Sequence, residues 1–289
     1  MTVHIPVLPQ EVIQGMNPQP GDIVVDGTLG GGGHTRELLK LIGPTGRLIG
    51  FDRDPQAVES TRDRIPDENA TFIAANYSDV PEYLAGLGIS AVNSILLDLG
   101  LSSDQLADRD RGFSFQSDGP LDLRFNPMAG EPAAKLVNRL SEKHLADLIY
   151  EFGEERLSRR IARKIVRLRH ANKIETSSQL ASIVRSCIPR TKQQKIDPAT
   201  KTFQALRIAV NEELKWLKSA MNRLPDLLAP GGRIAVISFH SLEDRIVKQV
   251  LNQNNDLEVL TKKPTQASEA ELEANPRSRS AKLRVAKRI

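Results

Sequence analysis

Four short apolar runs punctuate the first hundred residues, at 22–30, 46–54, 71–76 and 92–100, and helix-spaced segments separate them. Runs this short, rich in Val, Ile and Leu, read as buried strands. Between them, HTRELLKLIG (34–43) spaces its leucines and isoleucine as a helix does and stops at Gly43-Pro44. PQAVESTRDRI (55–65) begins with proline at the first helical position, where a missing N–H costs nothing, and SDVPEYLAGLG (78–88) is a shorter helix. Strands that alternate with helices confine the chain to the α/β class, a parallel sheet covered by helices on both faces. GGRIAVISFH (231–240) adds a fifth strand and SLEDRIVKQVLN (241–252) another helix, while LEVLTKKP and KLRVAKR fit a closing pair of strands.

The alternation is interrupted. Residues 101–130 are polar and rich in Gly, Pro and Asp, and a loop that long in a compact domain is usually functional. Residues 132–188 read as helices with no strand signal, and 202–228 as one further helix that resumes the alternation. The expected organisation is a first core segment (1–104), an inserted helical substrate-recognition subdomain (105–200) and a second core segment (201–289). Residues 265–280 are the most loop-like. The single cysteine, Cys187, excludes an intramolecular disulfide, and without a CxxC pair it argues against a zinc site. No apolar run reaches membrane-spanning length, and MTVHIPVLPQEVI lacks a basic segment followed by a long apolar one, so a reduced, cytoplasmic protein is expected. A net charge of +4 suits a polyanionic partner without proving one.

DGTLGGGG (26–33) closes the first strand and precedes a helix. Consecutive glycines there let backbone approach a ligand, and the following helix N-terminus offers free N–H groups; a tight turn with no ligand is the alternative. Asp52 ends the second strand, 19 residues after Gly33, where an acid can accept hydrogen bonds from both hydroxyls of a ribose; a solvated acid beside Arg53 is its plainer reading. Together they point to an adenosine-type cofactor and leave a dinucleotide and S-adenosylmethionine both open. Asp98 opens DLGLSS at the end of the fourth strand, where an acceptor can hold the hydrogens of an incoming amine, or cap the following turn. His240, in SFHSLED, competes for a chemical role. No second His or Cys stands at ligand spacing from His34, so no metal is expected there.

HIPVLPQEVI, DGTLGGGGH, FDRDPQA, ILLDLGLSSDQL, RGFSF with DGPLDLR, GEERLSRRIARKIV, KTFQALRIAVNEEL, APGGRIAVISFHSLEDRIVK and NPRSRSAKLR occur in this order over nearly the whole chain. Together they resemble the bacterial 16S ribosomal RNA (cytosine-N4)-methyltransferases of the RsmH or MraW type. The resemblance implies a Rossmann-like class I methyltransferase sheet with an inserted all-helical subdomain, S-adenosyl-L-methionine as donor, and a decoding-region cytidine of 16S rRNA in the small ribosomal subunit as acceptor. It carries donor-binding positions onto Gly32, Gly33, His34, Asp52, Tyr77, Asp98 and Gln105. Tyr77 stands where relatives often have phenylalanine, and Gly31 where some have arginine. Asp98, or a backbone oxygen of Leu99-Gly100, is the candidate to activate the cytidine amine. A monomer or homodimer is expected.

For the RNA, RLSRRIARKIVRLRHANK (156–173) carries eight basic residues. Leu157, Ile161, Ile165 and Leu168 form an apolar stripe at helical spacing, and Arg160, Arg163 and Arg167 lie on the adjoining arc, so one side can pack while the other meets phosphates. Arg277, Arg279 and Arg284 in the C-terminal PRSRSAKLRVAKRI, and Arg109, Arg111 and Arg124 in the long loop, are further candidates. Solvated charge is the plainer reading of these segments. A dinucleotide-dependent oxidoreductase is the second enzyme class, but GGGGH departs from GxGxxG and leaves DLGLSS without a role. A non-catalytic RNA-binding or assembly factor on a methyltransferase fold is the third reading.

Overall fold

The computed structural model describes residues 6–114, 118–189 and 196–289. Residues 4–5 of the first motif and Phe115 of RGFSF lie outside them. The chain divides into two compact units, Met1–Ser103 with Leu214–Ile289, and Asp104–Glu213 between these segments in sequence.

The first unit is built on a seven-stranded sheet. Its strands are β1 (Ile23–Asp26), β2 (Arg47–Asp52), β3 (Ala70–Ala74), β4 (Val92–Asp98), β5 (Leu228–Ser238), β6 (Leu257–Val259) and β7 (Lys282–Arg288), in the spatial order β3-β2-β1-β4-β5-β7-β6. β1 to β5 run parallel to one another, and β7 runs antiparallel to both β5 and β6. Side chains alternate across a strand, so neighbouring apolar residues serve opposite faces. Val24, Leu48, Leu96, Ala235 and Leu283 join one apolar cluster, and Val25, Ile49, Leu97, Val236 and Ala286 the other. Helices α1 (Pro9–Met16), α2 (Gly33–Ile42) and α3 (Pro55–Arg64) bury their apolar sides in the first cluster. α4 (Val80–Gly86), α11 (Glu213–Arg223) and α12 (Ser241–Gln253) contribute to the second. Strand order reverses between β1 and β4, and in such sheets ligands bind outside the carboxyl ends of the strands at that point.

The second unit is helical: α5 (Ser103–Ala107) at its boundary, then α6 (Ala133–Arg139), α7 (Glu142–Gly153), α8 (Ser158–Arg169), α9 (Ser177–Arg185) and α10 (Thr200–Asn211). α7 packs against α8 and α10, and Gly153 permits the closest approach, since a Cβ there would lie 3.3 Å from Ala205 Cβ and strike the Lys201 carbonyl. α9 starts with a capping box in which Thr176 and Gln179 satisfy one another's backbone N–H groups.

Three sequence expectations change. Residues 202–228 are not one helix. Glu212 turns left-handed (φ 50°) between α10 and α11, Asn211 turns its amide to Leu123 O (2.7 Å) and its carbonyl to Phe125 N (2.8 Å), and Arg207 grips Glu213 through two 2.8 Å bonds. Residues 265–280 are not plain loop: they hold α13 (Glu269–Ala274), capped by Ser268, and a 3-10 turn at Pro276–Ser280. On α8, Ile161, Ala162 and Ile165 are buried, but Leu168 is exposed.

Candidate active site

Four strand ends of the sheet unit supply the chemistry. β1 ends in Asp26, buried among apolar residues. Its carboxylate accepts from Thr28 N (3.1 Å) and from Thr35 Oγ (2.6 Å), so it ties the start of the glycine turn to the first turn of α2. Burial pushes the Asp26 pKa up, and the Thr35 bond opposes that. In the turn, Gly27 has no room for a Cβ, which would strike Leu97 and stand 3.1 Å from Tyr77 Cβ. Gly30 (φ 48°) and Gly32 (φ 75°) take left-handed backbone that only glycine adopts without cost. Gly32 is also the N-cap of α2, with no side chain capping the helix, and Gly33 and His34 are the first helical residues. The close approach foreseen for DGTLGGGG is thus a bare backbone curl that ends on an uncapped helix start.

Asp52, at the end of β2, accepts from Gly30 N (2.9 Å) and Asp54 N (2.9 Å), which fastens the glycine turn to the second strand. Each carboxylate oxygen has a second lone pair, so two further donors can still be accepted. The side chain keeps some exposure, yet the dense surroundings push its pKa up to about 6, burial outweighing the two backbone bonds. Tyr77 opens a 3-10 turn after β3, half-buried beside Gly27.

Asp98 ends β4. Its N–H donates to Thr28 Oγ (2.6 Å), and its Oδ1 accepts from Gly100 N (3.2 Å). Its Oδ2 lies 3.6 Å from His34 Nε2, too far for a hydrogen bond, and that buried nitrogen has no hydrogen-bond partner among the described residues. Gly32, Gly33, His34, Asp52, Tyr77 and Asp98 therefore gather at the carboxyl ends of β1 to β4. Gln105, on α5, is buried and belongs to the helical unit. Sequence reasoning passed over Asp26, Thr28 and Thr35 as site-builders. The signal available was an acid directly before the glycines and a hydroxyl two residues on.

This donor set suits an adenosine-bearing sulfonium compound. A carboxylate at β2 can take ribose hydroxyls, and the carboxylate at β4 supplies negative charge near a cationic centre. The uncapped N–H groups of α2 can take a ligand carboxylate, and the orphaned His34 nitrogen can take one polar atom.

The basic candidates divide. Arg109, Arg160, Arg167 and Arg279 are exposed; Arg163 is exposed with its Nε 3.3 Å from Glu142. Arg277 is exposed and donates to Ser103 Oγ. Three depart from the surface role expected. Arg111 is buried, donates to the carbonyls of Arg124 and Phe125 and lies over the Phe113 ring, so it staples the loop. Arg124 is held in two bonds by Asp122 (2.8 and 2.6 Å). Arg284 is buried on Asp244 (2.6 Å). His240 caps α12, its Nδ1 accepting from Glu243 N (3.4 Å) while Glu243 accepts from the N–H groups of Phe239 and His240. Among the described residues, no helix is long and apolar enough to cross a membrane.

Known proteins align with the chain throughout. The model of the MraW methylase family matches residues 1–289. A Rhodopirellula baltica protein named ribosomal RNA small subunit methyltransferase H is 48% identical over 299 residues, covering 100% of this chain and 92% of that protein. Its namesake from Citrifermentans bemidjiense is 46% identical over 307 residues, covering 99% and 98%. A crystal structure from Clostridium thermocellum assigned as an rRNA-methylase superposes with a TM-score of 0.50 over the full length of both chains, at 17% identity, and supports the fold alone. With glycine turn, strand-end acids and whole-length match in agreement, the chain belongs to the MraW methylase family, with S-adenosyl-L-methionine as its methyl donor.

Proposed function

We propose that this methylase modifies the exocyclic N4 of a decoding-region cytidine in the 16S rRNA of the small ribosomal subunit. The observation that carries the reading is Asp98 at the end of β4, whose backbone N–H donates to Thr28 Oγ and whose carboxylate accepts from Gly100 N, next to His34 and the glycine turn. The relatives' name, ribosomal RNA small subunit methyltransferase H, supports the substrate class.

When bound, S-adenosyl-L-methionine supplies a methyl group activated on a sulfonium. Gly32, Gly33 and His34 would hold it at the start of α2, Asp52 at its ribose and Tyr77 beside its adenine. An exocyclic base amine is a poor nucleophile because its lone pair is delocalised into the ring. Asp98, or a carbonyl of Leu99-Gly100, accepts a hydrogen bond from the amine and so turns the lone pair away from the ring. Thr28 and Gly100 keep that acceptor in place. The helical unit, whose α8 presents Arg160, Arg163 and Arg167 to solvent, serves substrate recognition.

The test is methyl transfer from labelled donor to small subunits from a strain lacking this protein, with mass mapping of the modified nucleoside. Label on N4 of one decoding-region cytidine is expected, and turnover should collapse in Asp98→Ala. Label on another base or atom would overturn the substrate; full turnover in both Asp98→Asn and Asp98→Ala would remove Asp98 from the chemistry.

A further inference from the structure

The segment SFHSLED contributes more than a helix cap. β4 and β5 pair in parallel with Asp98 opposite Ile237, and Leu99 N donates to Ile237 O at 3.0 Å. That register brings Phe239, just past β5, alongside Gly100. A Cβ on Gly100 would lie 2.7 Å from Phe239 Cε2, 2.8 Å from its Cζ and 3.2 Å from Asp98 Oδ1. The tip of an aromatic ring and a carboxylate thus flank one residue that has no side chain. The ring is held from behind: Phe239 N donates to Glu243 Oε2 (2.8 Å) in the α12 capping box, and the side chain packs on the first apolar cluster. It nonetheless keeps part of its surface exposed.

Aromatics are only 4% of this chain, so a partly exposed phenylalanine beside Asp98 is informative. A flat heterocycle with an exocyclic amine needs two things from its site. It needs a surface to replace the stacking it gives up when it leaves an RNA helix or loop, and an acceptor for the amine hydrogens. The other aromatic at these strand ends, Tyr77, abuts Gly27 after β1, whereas Phe239 abuts Gly100 after β4. Tyr77 follows β3 and Phe239 follows β5, so the two aromatics come from strands on either side of the β1–β4 pair.

We propose that Phe239 is the surface on which the acceptor base stacks, holding its amine at Asp98. This rests on the base-methylating function proposed above, and the experiment separates the two.

Wild type, Phe239→Ala, Phe239→Leu and Phe239→Tyr are compared for methyl transfer to undermethylated small subunits, for donor Kd by calorimetry and for Tm. Loss of stacking should lower kcat/KM for the subunit about 5- to 150-fold in Phe239→Ala, the span that alanine substitution of base-stacking aromatics covers. Phe239→Leu fills the space without an aromatic face and should stay low, Phe239→Tyr should regain most of the rate, and donor Kd should move less than about twofold throughout. If Phe239→Ala fails to fold, the Leu and Tyr variants carry the comparison. A Leu variant as active as wild type overturns the stacking role, and so does a rate loss matched by an equal loss of donor affinity. If wild type methylates no base on any RNA while still binding the donor, the function itself is wrong and the stacking role falls with it.

Discussion

At the scale of single residues, Asp52 is the most testable group. Its pKa is pushed up to about 6 from an ordinary 3.8, chiefly by burial. The folded chain therefore binds a proton there that the unfolded chain releases, across the window from about pH 4 to 6. Through that window this group's contribution to stability falls as pH rises, with no further change above it. Hydroxyl donors on the carboxylate favour its ionised form, so donor binding near pH 6 expels the proton. The expected Kd for S-adenosyl-L-methionine is flat above about pH 7 and weakens by up to about tenfold per unit below 6. Calorimetry in buffers of different ionisation enthalpy reads both affinity and proton release, and Asp52→Asn should flatten the profile. A wild-type Kd constant from pH 5 to 8 would take Asp52 out of the ribose contact.

Among the elements, α8 presents the clearest division of labour. Ser158, Ile161, Ala162 and Ile165 are buried, while Arg160, Arg163 and Arg167 are exposed, and Arg163 has only a surface ion pair with Glu142. Such a pair contributes little to stability, about 1 kcal/mol at most. Reversing Arg160 and Arg163 to Glu should therefore leave the fold and donor affinity intact. RNA affinity should fall, with a salt dependence about two charges shallower. Equal loss of RNA and donor binding would mean that α8 is a structural strut. α12 works differently: one carboxylate in its capping box accepts from the backbone N–H groups of Phe239 and His240, which fixes the backbone that carries the Phe239 ring.

For the whole molecule, two compact units imply two cooperative responses. A ligand that binds only the native state stabilises the unit that holds it, by about 2.7 kcal/mol at a hundred times its Kd. Native-state hydrogen exchange with and without S-adenosyl-L-methionine should show that gain on amides of β1, β2 and β4, and a smaller one on α7 and α8. A uniform gain would mean that the chain opens as a single unit.

Strands, glycines and strand-end acids were legible in sequence because their causes are local. Lys282–Arg288 shows up as a strand from its own pattern, and an acid or glycine that ends a parallel strand stands where ligands bind, whatever surrounds it. The break at Glu212 was not legible, because NEELK continues a helix well, whereas the bonds of Asn211 to the loop at 123–125 and of Arg207 to Glu213 are made only in the folded chain. Nor was the fate of the arginines. Arg111 and Arg284 look like surface charge until packing buries them against carbonyls and Asp244. By itself the sequence determined the α/β class, the alternation that builds the sheet, and the family with its donor, since each rests on neighbours along the chain. Only the tertiary structure decided which side chains share a strand end, putting Thr28 under Asp98, Asp52 under Gly30 and Phe239 against Gly100, because those pairings depend on strand register and on the space left by missing Cβ atoms.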